Sequence, residues 1–178
     1  MGYLTKKPIA WKRLTACEQR ATAGGCGALV SFLGVVRAQR RDGRQVHGLL
    51  YEAHPQMAER QIDRVVHEAR LRWPLEAVHI QHRLGYVGVG QISLVVSVTA
   101  QHRAEAYAAS QFLVEHLKHE VPIWKREHYD DGTSQWVTGF LEGSRAMSRD
   151  ERSESWFDPA HHDPERAKRV EGSNHALV

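Results

Sequence analysis

Two lysines flank a predicted corner of the chain, in the stretch HLKHEVPIWKRE at residues 116–127. Lys118 falls in the last turn of a predicted helix, and Lys125 falls early in the strand that follows. The helix breaks at Val121–Pro122, because the residue before a proline is disfavoured in the helical region. Ammonium groups held close together disfavour each other's charge, which lowers their pKa values. Such lysines can then donate or accept protons near neutral pH. The alternative is that such lysines only complement the helix dipole.

A second pair of candidate residues, His102 and Arg103, lies at the predicted start of the same helix. Free backbone amides and the helix dipole favour an anion at this position. An imidazole and a guanidinium added there would complete a phosphate site. The alternative is an ordinary solvent-exposed first turn.

The length of the predicted helix separates these two pairs. Arg103 and Lys118 lie on one helix face, since steps of four, four, three and four connect them through Tyr107, Gln111 and Val114. They are fifteen residues apart, which is about 22 Å along a helix axis. One small metabolite cannot contact both from one chain, so a shared site predicts a dimer in which each subunit gives one end.

The predicted elements that position these residues alternate between strands and helices. Apolar or alternating segments predict strands, and Pro55 at a first helical position predicts the start of a helix with Met57, Ile62, Val65, Val66 and Ala69 buried. The predicted strands cover 28–36, 45–53, 78–84, 91–99, 123–129 and 134–137, the helices cover 55–72 and 101–120, and turns are predicted at Asp42–Gly43, Gly85–Gly90 and Asp131–Gly132. This order predicts an α+β sandwich, a mixed or antiparallel sheet with helices packed on one face.

The 178 residues suit one core domain with appendages. Residues 1–25 are expected to be a lead-in, with a strand near Tyr3–Thr5 and a short helix over Leu14–Ala23. Residues 26–143 would form the main α+β domain. Residues 144–178 are rich in charges, serine and histidine, which favours a polar C-terminal arm that is disordered or loosely docked.

Composition excludes several classes of protein. The apolar runs are too short to span a bilayer, and the N-terminus has no apolar signal core, so a cytoplasmic location is expected. Cys17 and Cys26 suggest no disulfide framework. No zinc or nucleotide motif appears, and no cofactor is expected. With a net charge of +3, the basic segment Arg37–Arg44 leaves a nucleic-acid binder as an alternative.

Six segments, in order, closely resemble the large, catalytic subunit of molybdopterin synthase. They are GALVSFLGVVR (27–37), YEAHPQMAE (51–59), ARLRWPL (69–75), HRLGYVGVG (82–90), SVTAQHRAEAY (97–107) and LKHEVPIWKRE (117–127). The resemblance implies an α/β-hammerhead-like fold and the conversion of cyclic pyranopterin monophosphate to the molybdopterin dithiolene. It also implies that no metal takes part in the sulfur transfer.

The resemblance further implies a partner. Two sulfurs would arrive as a thiocarboxylate on the C-terminal Gly-Gly of a small ubiquitin-like sulfur carrier, in a heterotetramer built on a homodimer of the large subunit. Because the chain ends His-Ala-Leu-Val, without Gly-Gly, the partner is expected to be a separate chain. A non-catalytic binding module of the same fold is the remaining alternative.

The roles implied by the resemblance fall on named residues. Lys118 and Lys125 would be catalytic, with Lys118 beside the terminal glycine of the partner. The substrate-binding set would be Val35, Val36, Arg37, His102, Arg103, Lys118, Lys125, Arg126 and Glu127. Phe32 and Val114 would form the pocket wall, although some family members are expected to have methionine where this chain has Val114.

Overall fold

A computed structural model of the chain describes residues 2–12 and 25–137. These residues all belong to one unit of the chain, Met1–Glu142. The strands are β1 (Leu4–Thr5), β2 (Ala28–Val35), β3 (Arg40–Arg41), β4 (Arg44–Ala53), β5 (Leu75–Arg83), β6 (Gly85–Gly88), β7 (Ile92–Ala100), β8 (Ile123–Tyr129) and β9 (Ser134–Val137), and the helices are α1 (Pro55–Arg72) and α2 (Arg103–Glu120). Neither helix is long and apolar enough to cross a membrane.

The first sheet has four strands in the order β1-β5-β7-β2. β1 runs parallel to β5, whereas β7 is antiparallel to both of its neighbours, so the sheet is mixed. The pairing of β2 with β7 shifts register between Gly34 and Val35. This bulge is where the chain leaves the sheet and continues to Arg37.

The second sheet is built around β4, which pairs with β3, β6 and β8, and β8 pairs in turn with β9. β3 and β4 form a two-residue hairpin in which Asp42 and Gly43 both have positive φ values, 51° and 79°. A turn with two positive φ values matches the twist of the flanking strands, which explains the Asp-Gly pair. β6 follows β5 after one residue, so the two sheets are joined directly.

Both helices pack on one face of the first sheet. From β7, Leu94, Val96 and Val98 alternate toward the helices, as side chains on one face of a strand must. The core also contains Ala58, Ile62, Val65 and Ala69 of α1, Ile80 of β5, and Ala109, Leu113, Val114 and Leu117 of α2. The predicted α+β fold with helices on one face is therefore confirmed.

Two local predictions are wrong. Gly85–Gly90 is not one turn, because Gly85–Gly88 forms β6 and pairs with Gly48–Tyr51 of β4. The glycines permit this strand beside β4 without side-chain crowding, and only the segment after Gly88 turns. Met57 is 49% exposed, and Ala58 occupies the buried position instead. The predicted short helix over Leu14–Ala23, residue Cys17 and the predicted arm at 144–178 lie outside the described residues.

Candidate active site

Lys118 lies in the last turn of α2, exposed to solvent, and its Nζ lies 5.5 Å from the centre of the Phe32 ring. A cation at this distance from an aromatic face is attracted by the ring quadrupole. Val114, one turn earlier, is buried in the core between α2 and the sheet. The structure therefore brings Lys118, Phe32 and Val114 together, with Val114 below the surface on which Lys118 stands.

Lys125 lies just past the corner that follows α2. The helix ends at Glu120, and the amide of Ile123 donates a hydrogen bond of 2.7 Å to the carbonyl of Val121 across Pro122. This tight turn directs the chain into β8, where Lys125 is half-buried and directly opposite Tyr51 of β4. The predicted helix–corner–strand arrangement of the two lysines is present.

Arg126 faces away from Lys125. Consecutive strand residues point to opposite faces, so Lys125 and Glu127 share one face and Arg126 lies on the other. There the Arg126 guanidinium stacks over the ring of Trp136, its partner in β9, at 5.2 Å. The three consecutive residues predicted to line one substrate site are therefore divided between two faces of the second sheet.

Glu127 is 2% exposed, and its carboxylate is fully engaged. It accepts hydrogen bonds from Gln39 Nε2 at 2.9 Å and from the Tyr129 hydroxyl at 2.8 Å, and Arg41 Nε lies 3.7 Å away. Burial, followed by this hydrogen bond, raises the pKa of Tyr129, so its hydroxyl remains a donor. Glu127 thus ties β8 to the segment between Arg37 and β3.

The segment Val35–Arg37 leaves the first sheet at the bulge after Gly34. Val36 is buried and fixed at both ends, since its amide donates to Gln91 O at 3.0 Å and its carbonyl accepts from Gly90 N at 2.8 Å. Val35 and Arg37, on either side, are exposed. This anchoring presents Arg37 from a fixed backbone.

An aromatic contact connects the two sheets beside these residues. Tyr51 packs edge-on against His82 of β5, with ring centres 5.0 Å apart. Ser93 Oγ donates to the carbonyl of Gly34 at 3.2 Å. Sequence reasoning did not assign these residues a role, although Tyr51 opens the YEAHPQMAE segment and could have been singled out there.

His82 is the most perturbed histidine of this region. Burial lowers its pKa from 6.5 to about 4, against the opposing effect of its hydrogen bond to the carbonyl of Arg83 at 2.9 Å. Because a carbonyl can only accept, Nδ1 carries the proton. The neutral imidazole therefore serves as a fixed structural ring below Tyr51.

His102 and Arg103 lie at the opposite end of α2, both exposed. His102 occupies the N-cap position without a capping hydrogen bond from its side chain. Because α2 is continuous from Arg103 to Glu120, the separation of about 22 Å between Arg103 and Lys118 holds. Within one chain, these cations do not converge with Lys118.

No group of three or more His, Cys, Asp or Glu side chains within residues 2–12 and 25–137 is placed to hold a metal ion. A shallow groove of about 530 Å³ lies elsewhere on the second sheet and has none of the predicted site residues in its wall. Its lining consists of Ala38, Gln45, Val46, His47, Tyr86, Gly88, Val89 and Asp130.

The sequence is similar to known proteins. The sequence model of the family "MoaE protein" matches residues 4–120. The molybdopterin synthase catalytic subunit of Halalkalibacterium halodurans is 38% identical over 131 residues, which are 70% of this chain and 83% of the relative.

Solved structures share the fold. Molybdopterin synthase from Staphylococcus aureus superposes with a TM-score of 0.68 at 32% identity, over 76% of this chain and 96% of that one. A complex of subunits 1 and 2 of molybdopterin-converting factor from Helicobacter pylori matches with a TM-score of 0.64 at 22% identity, over 76% and 88% of the two chains. The chain belongs to the MoaE family, the catalytic subunits of molybdopterin synthase in molybdenum cofactor biosynthesis.

Proposed function

We propose that this chain transfers two sulfurs to cyclic pyranopterin monophosphate and so makes the molybdopterin dithiolene. The observation that carries the proposal is the placement of Lys118 over Phe32, on one side of the Val121–Pro122 corner, with Lys125 half-buried on the other side. Two ammonium groups from two elements can then act on one anionic substrate. Membership of the MoaE family gives this arrangement its substrate class.

The sulfur donor would be the thiocarboxylated C-terminal Gly-Gly of a small ubiquitin-like partner. The Helicobacter pylori complex, in which two different subunits associate, supports a partner of this kind. Lys118 is exposed, so a thiocarboxylate tail can approach its ammonium group, which would pair with the sulfur anion and orient it for attack. We expect this reaction to take place in the cytoplasm, and that location stays a prediction.

Each transfer has a simple atom balance. The thiocarboxylate sulfur forms a bond to a substrate carbon while a carbon–oxygen bond at that carbon breaks, and the oxygen leaves as a phosphate oxygen when the ring opens or as water. The partner is then attached to the pterin through a thioester. Water then cleaves the bond between the acyl carbon and sulfur, so the partner leaves as a carboxylate and the sulfur stays on the pterin. Lys125 would move protons during ring opening of the cyclic phosphate and during this hydrolysis. Two partner chains supply the two sulfurs.

Arg37, His102 and Arg103 would bind the phosphate and offset the charge that develops as the ring opens. Arg37 stands on the anchored segment after β2, whereas His102 and Arg103 stand about 22 Å from Lys118 on the same helix. The site therefore requires a homodimer, in which the partner subunit brings its own helix start to the Lys118 end. With one small subunit on each copy, the assembly is a heterotetramer.

The test is direct reconstitution. The purified chain is mixed with a thiocarboxylated small partner and the cyclic pterin, and dithiolene product is measured over time. We expect product in proportion to the thiocarboxylate consumed, at two partner chains for each pterin. Partner binding without any product would instead support a non-catalytic binding module.

A separate titration tests the anion site. Arg103→Ala should weaken binding of the pterin at least tenfold and leave partner binding within about twofold, because only the pterin carries the phosphate. Equal losses for both ligands would show that Arg103 has a structural role instead.

A further inference from the structure

Gln39 lies between two parts of the proposed site. It comes two residues after Arg37, on the segment that leaves the first sheet, and its side-chain amide donates a hydrogen bond of 2.9 Å to Glu127 Oε1. Glu127 comes two residues after Lys125 in β8, on the same face of that strand. This hydrogen bond therefore joins the segment that presents Arg37 to the strand that presents Lys125.

The backbone around Arg37 is held on both sides. Val36, before it, is fixed to the first sheet by its amide and its carbonyl. After it, the carbonyl of Gln39 accepts a hydrogen bond of 2.8 Å from the amide of Val46 in β4. Arg37 and Ala38 span the interval between these anchors. The backbone of Gln39 is thus bonded to β4, and its side chain adds a contact with β8 that this backbone bond does not make.

The hydrogen bond between Gln39 and Glu127 is shielded from solvent. Glu127 is buried and Gln39 is half-buried, and a buried carboxylate needs hydrogen-bond donors. The other carboxylate oxygen, Oε2, accepts from the Tyr129 hydroxyl and lies 3.7 Å from Arg41 Nε. The Gln39 amide is the donor to Oε1. Without it, the segment would be free to shift relative to β8 while its backbone bond to β4 stays intact.

We propose that Gln39 is a positioning residue for sulfur transfer, which holds Arg37 at a fixed place relative to Lys125. The proposal rests on the function proposed above, in which Arg37 binds the phosphate and Lys125 moves protons. Cations that act on one small substrate from two elements need a fixed separation, and a misplacement of about 1 Å can cost about 100-fold in rate. In this role Gln39 acts through Arg37 and does not itself contact the substrate.

Gln39→Met tests this role, because methionine keeps the length and most of the volume of the side chain and removes the amide. In the full chain, reconstituted with the thiocarboxylated partner and the cyclic pterin, we expect kcat/KM for the pterin to fall about 10- to 100-fold. Kd for the partner should stay within about twofold of wild type, because the thiocarboxylate is assigned to Lys118.

The matched control is Gln61→Met. The Gln61 amide donates to Glu120 Oε2 at 3.0 Å, so this variant removes another hydrogen bond between a glutamine and a glutamate, in this case between the two helices. Lys118 is held by the backbone of α2 and does not need that bond. The control should therefore keep kcat/KM for the pterin within about twofold of wild type.

A double-variant cycle with Arg37→Ala distinguishes positioning from lost stability. If Gln39 acts through Arg37, the Arg37→Ala/Gln39→Met double variant should be as slow as Arg37→Ala alone, within about twofold. A merely structural role would slow the double variant further. Rates are expressed per partner-binding site, so a loss of folded protein does not count. If Gln39→Met does not fold, Gln39→Asn, whose amide is one methylene too short to reach, replaces it with the same expected results.

The outcomes separate this role from the proposed function. An active wild type with a Gln39→Met value of kcat/KM within twofold of it would overturn the positioning role alone. Slowing factors that multiply in the double variant would overturn it as well, since Gln39 and Arg37 would then act independently. A wild type that makes no dithiolene would overturn the proposed function and, with it, the positioning role.

Discussion

At the scale of single residues, Lys118 combines an exposed ammonium group with a fixed aromatic neighbour. Lys118→Ala should lower the rate of dithiolene formation at least about 100-fold, since it removes the group proposed to orient the thiocarboxylate. The fold should persist because Lys118 is exposed and Val114 below it keeps its packing. Product assay and thermal unfolding measure the two effects. Lys6→Ala, at another exposed lysine, should change neither.

Glu127 is a buried carboxylate, and its removal should destabilise the folded protein. Glu127→Ala leaves Gln39, Tyr129 and Arg41 without their shared acceptor, and we expect a loss of about 3 kcal/mol in the free energy of unfolding. Urea unfolding measures it. Glu115→Ala, which removes an exposed carboxylate 3.6 Å from His119, should cost less than about 1 kcal/mol. Equal costs for the two variants would contradict the assigned role of Glu127.

His82 gives the fold a pH dependence with a defined sign. The folded state disfavours its protonation, with a pKa of about 4 against 6.5 for an ordinary histidine, so the unfolded chain binds more protons between these values. Stability attributable to His82 is therefore full above pH 6.5 and falls by up to about 3 kcal/mol as the pH drops to 4.

Replacement of this ring tests the effect. His82→Asn, which can still donate to the Arg83 carbonyl, should make the loss of stability between pH 7 and pH 4 shallower than in wild type. His67→Gln, at an exposed position of α1, should leave the wild-type slope unchanged. A slope in His82→Asn as steep as that of wild type would show that other groups govern acid unfolding.

At the scale of elements, the contact between β4 and β6 depends on a glycine. A Cβ at Gly48 would lie 2.3 Å from the Tyr86 hydroxyl oxygen, so any side chain there forces the Tyr86 ring away from His47, its hydrogen-bond partner at 2.8 Å. Gly48→Ala should destabilise the protein by about 1–2 kcal/mol, measured by urea unfolding.

Two further variants check the cause of this loss. In a Tyr86→Ser background the same Gly48→Ala change should cost almost nothing, because the ring that it displaces is gone. Gly25→Ala should be neutral in wild type, because no described residue lies within 4 Å of a Cβ added there. A Gly48→Ala cost that persists without the Tyr86 ring would point to backbone strain instead.

The elements differed in how well their sequences predicted them. α1, with Pro55 at its start and Trp73–Pro74 after its end, and β8, set off by Pro122 and the Asp131–Gly132 turn, were predicted with their observed bounds. β6 was missed because its glycines signal a turn, while its pairing with β4 is a long-range contact. Met57 was misplaced because helical periodicity alone does not distinguish it from its neighbour Ala58.

Site residues on consecutive elements could be predicted from the sequence, whereas contacts between residues of different sheets could not. Lys118, Val114 and Lys125 lie on consecutive elements, and their positions follow from helix spacing and one proline. Tyr51 and His82 come from two strands in different sheets, so their contact depends on register, which the sequence does not state. For the same reason Arg126 was grouped with Lys125, although it faces Trp136.

At the scale of the whole molecule, α2 carries candidate residues at both ends, and a mixing experiment tests whether one site uses two copies. Arg103→Ala and Lys118→Ala chains are each expected to be nearly inactive. If each site spans the dimer, a mixed dimer contains one site with both lesions and one intact site. Mixing with subunit exchange should therefore restore about a quarter of the wild-type activity, because about half the dimers are mixed.

The control is a mixture of each variant with itself, which must stay inactive, and exchange is followed with a tagged chain. If exchange occurs and activity does not return, each site is built within a single chain. That result would remove the argument for a functional homodimer drawn from the length of α2.

Side chains along β8 alternate between the two faces of the second sheet, so adjacent positions are under different selective pressures. Lys125 and Glu127 face the site and its supporting hydrogen bonds, whereas Trp124, Arg126 and His128 face outward on the second sheet. Substitutions would be selected against at Lys125 for their effect on chemistry and at Glu127 for their effect on stability, while the outward positions can vary more freely. In a population of variants, tolerance along this strand should rise and fall with a period of two residues.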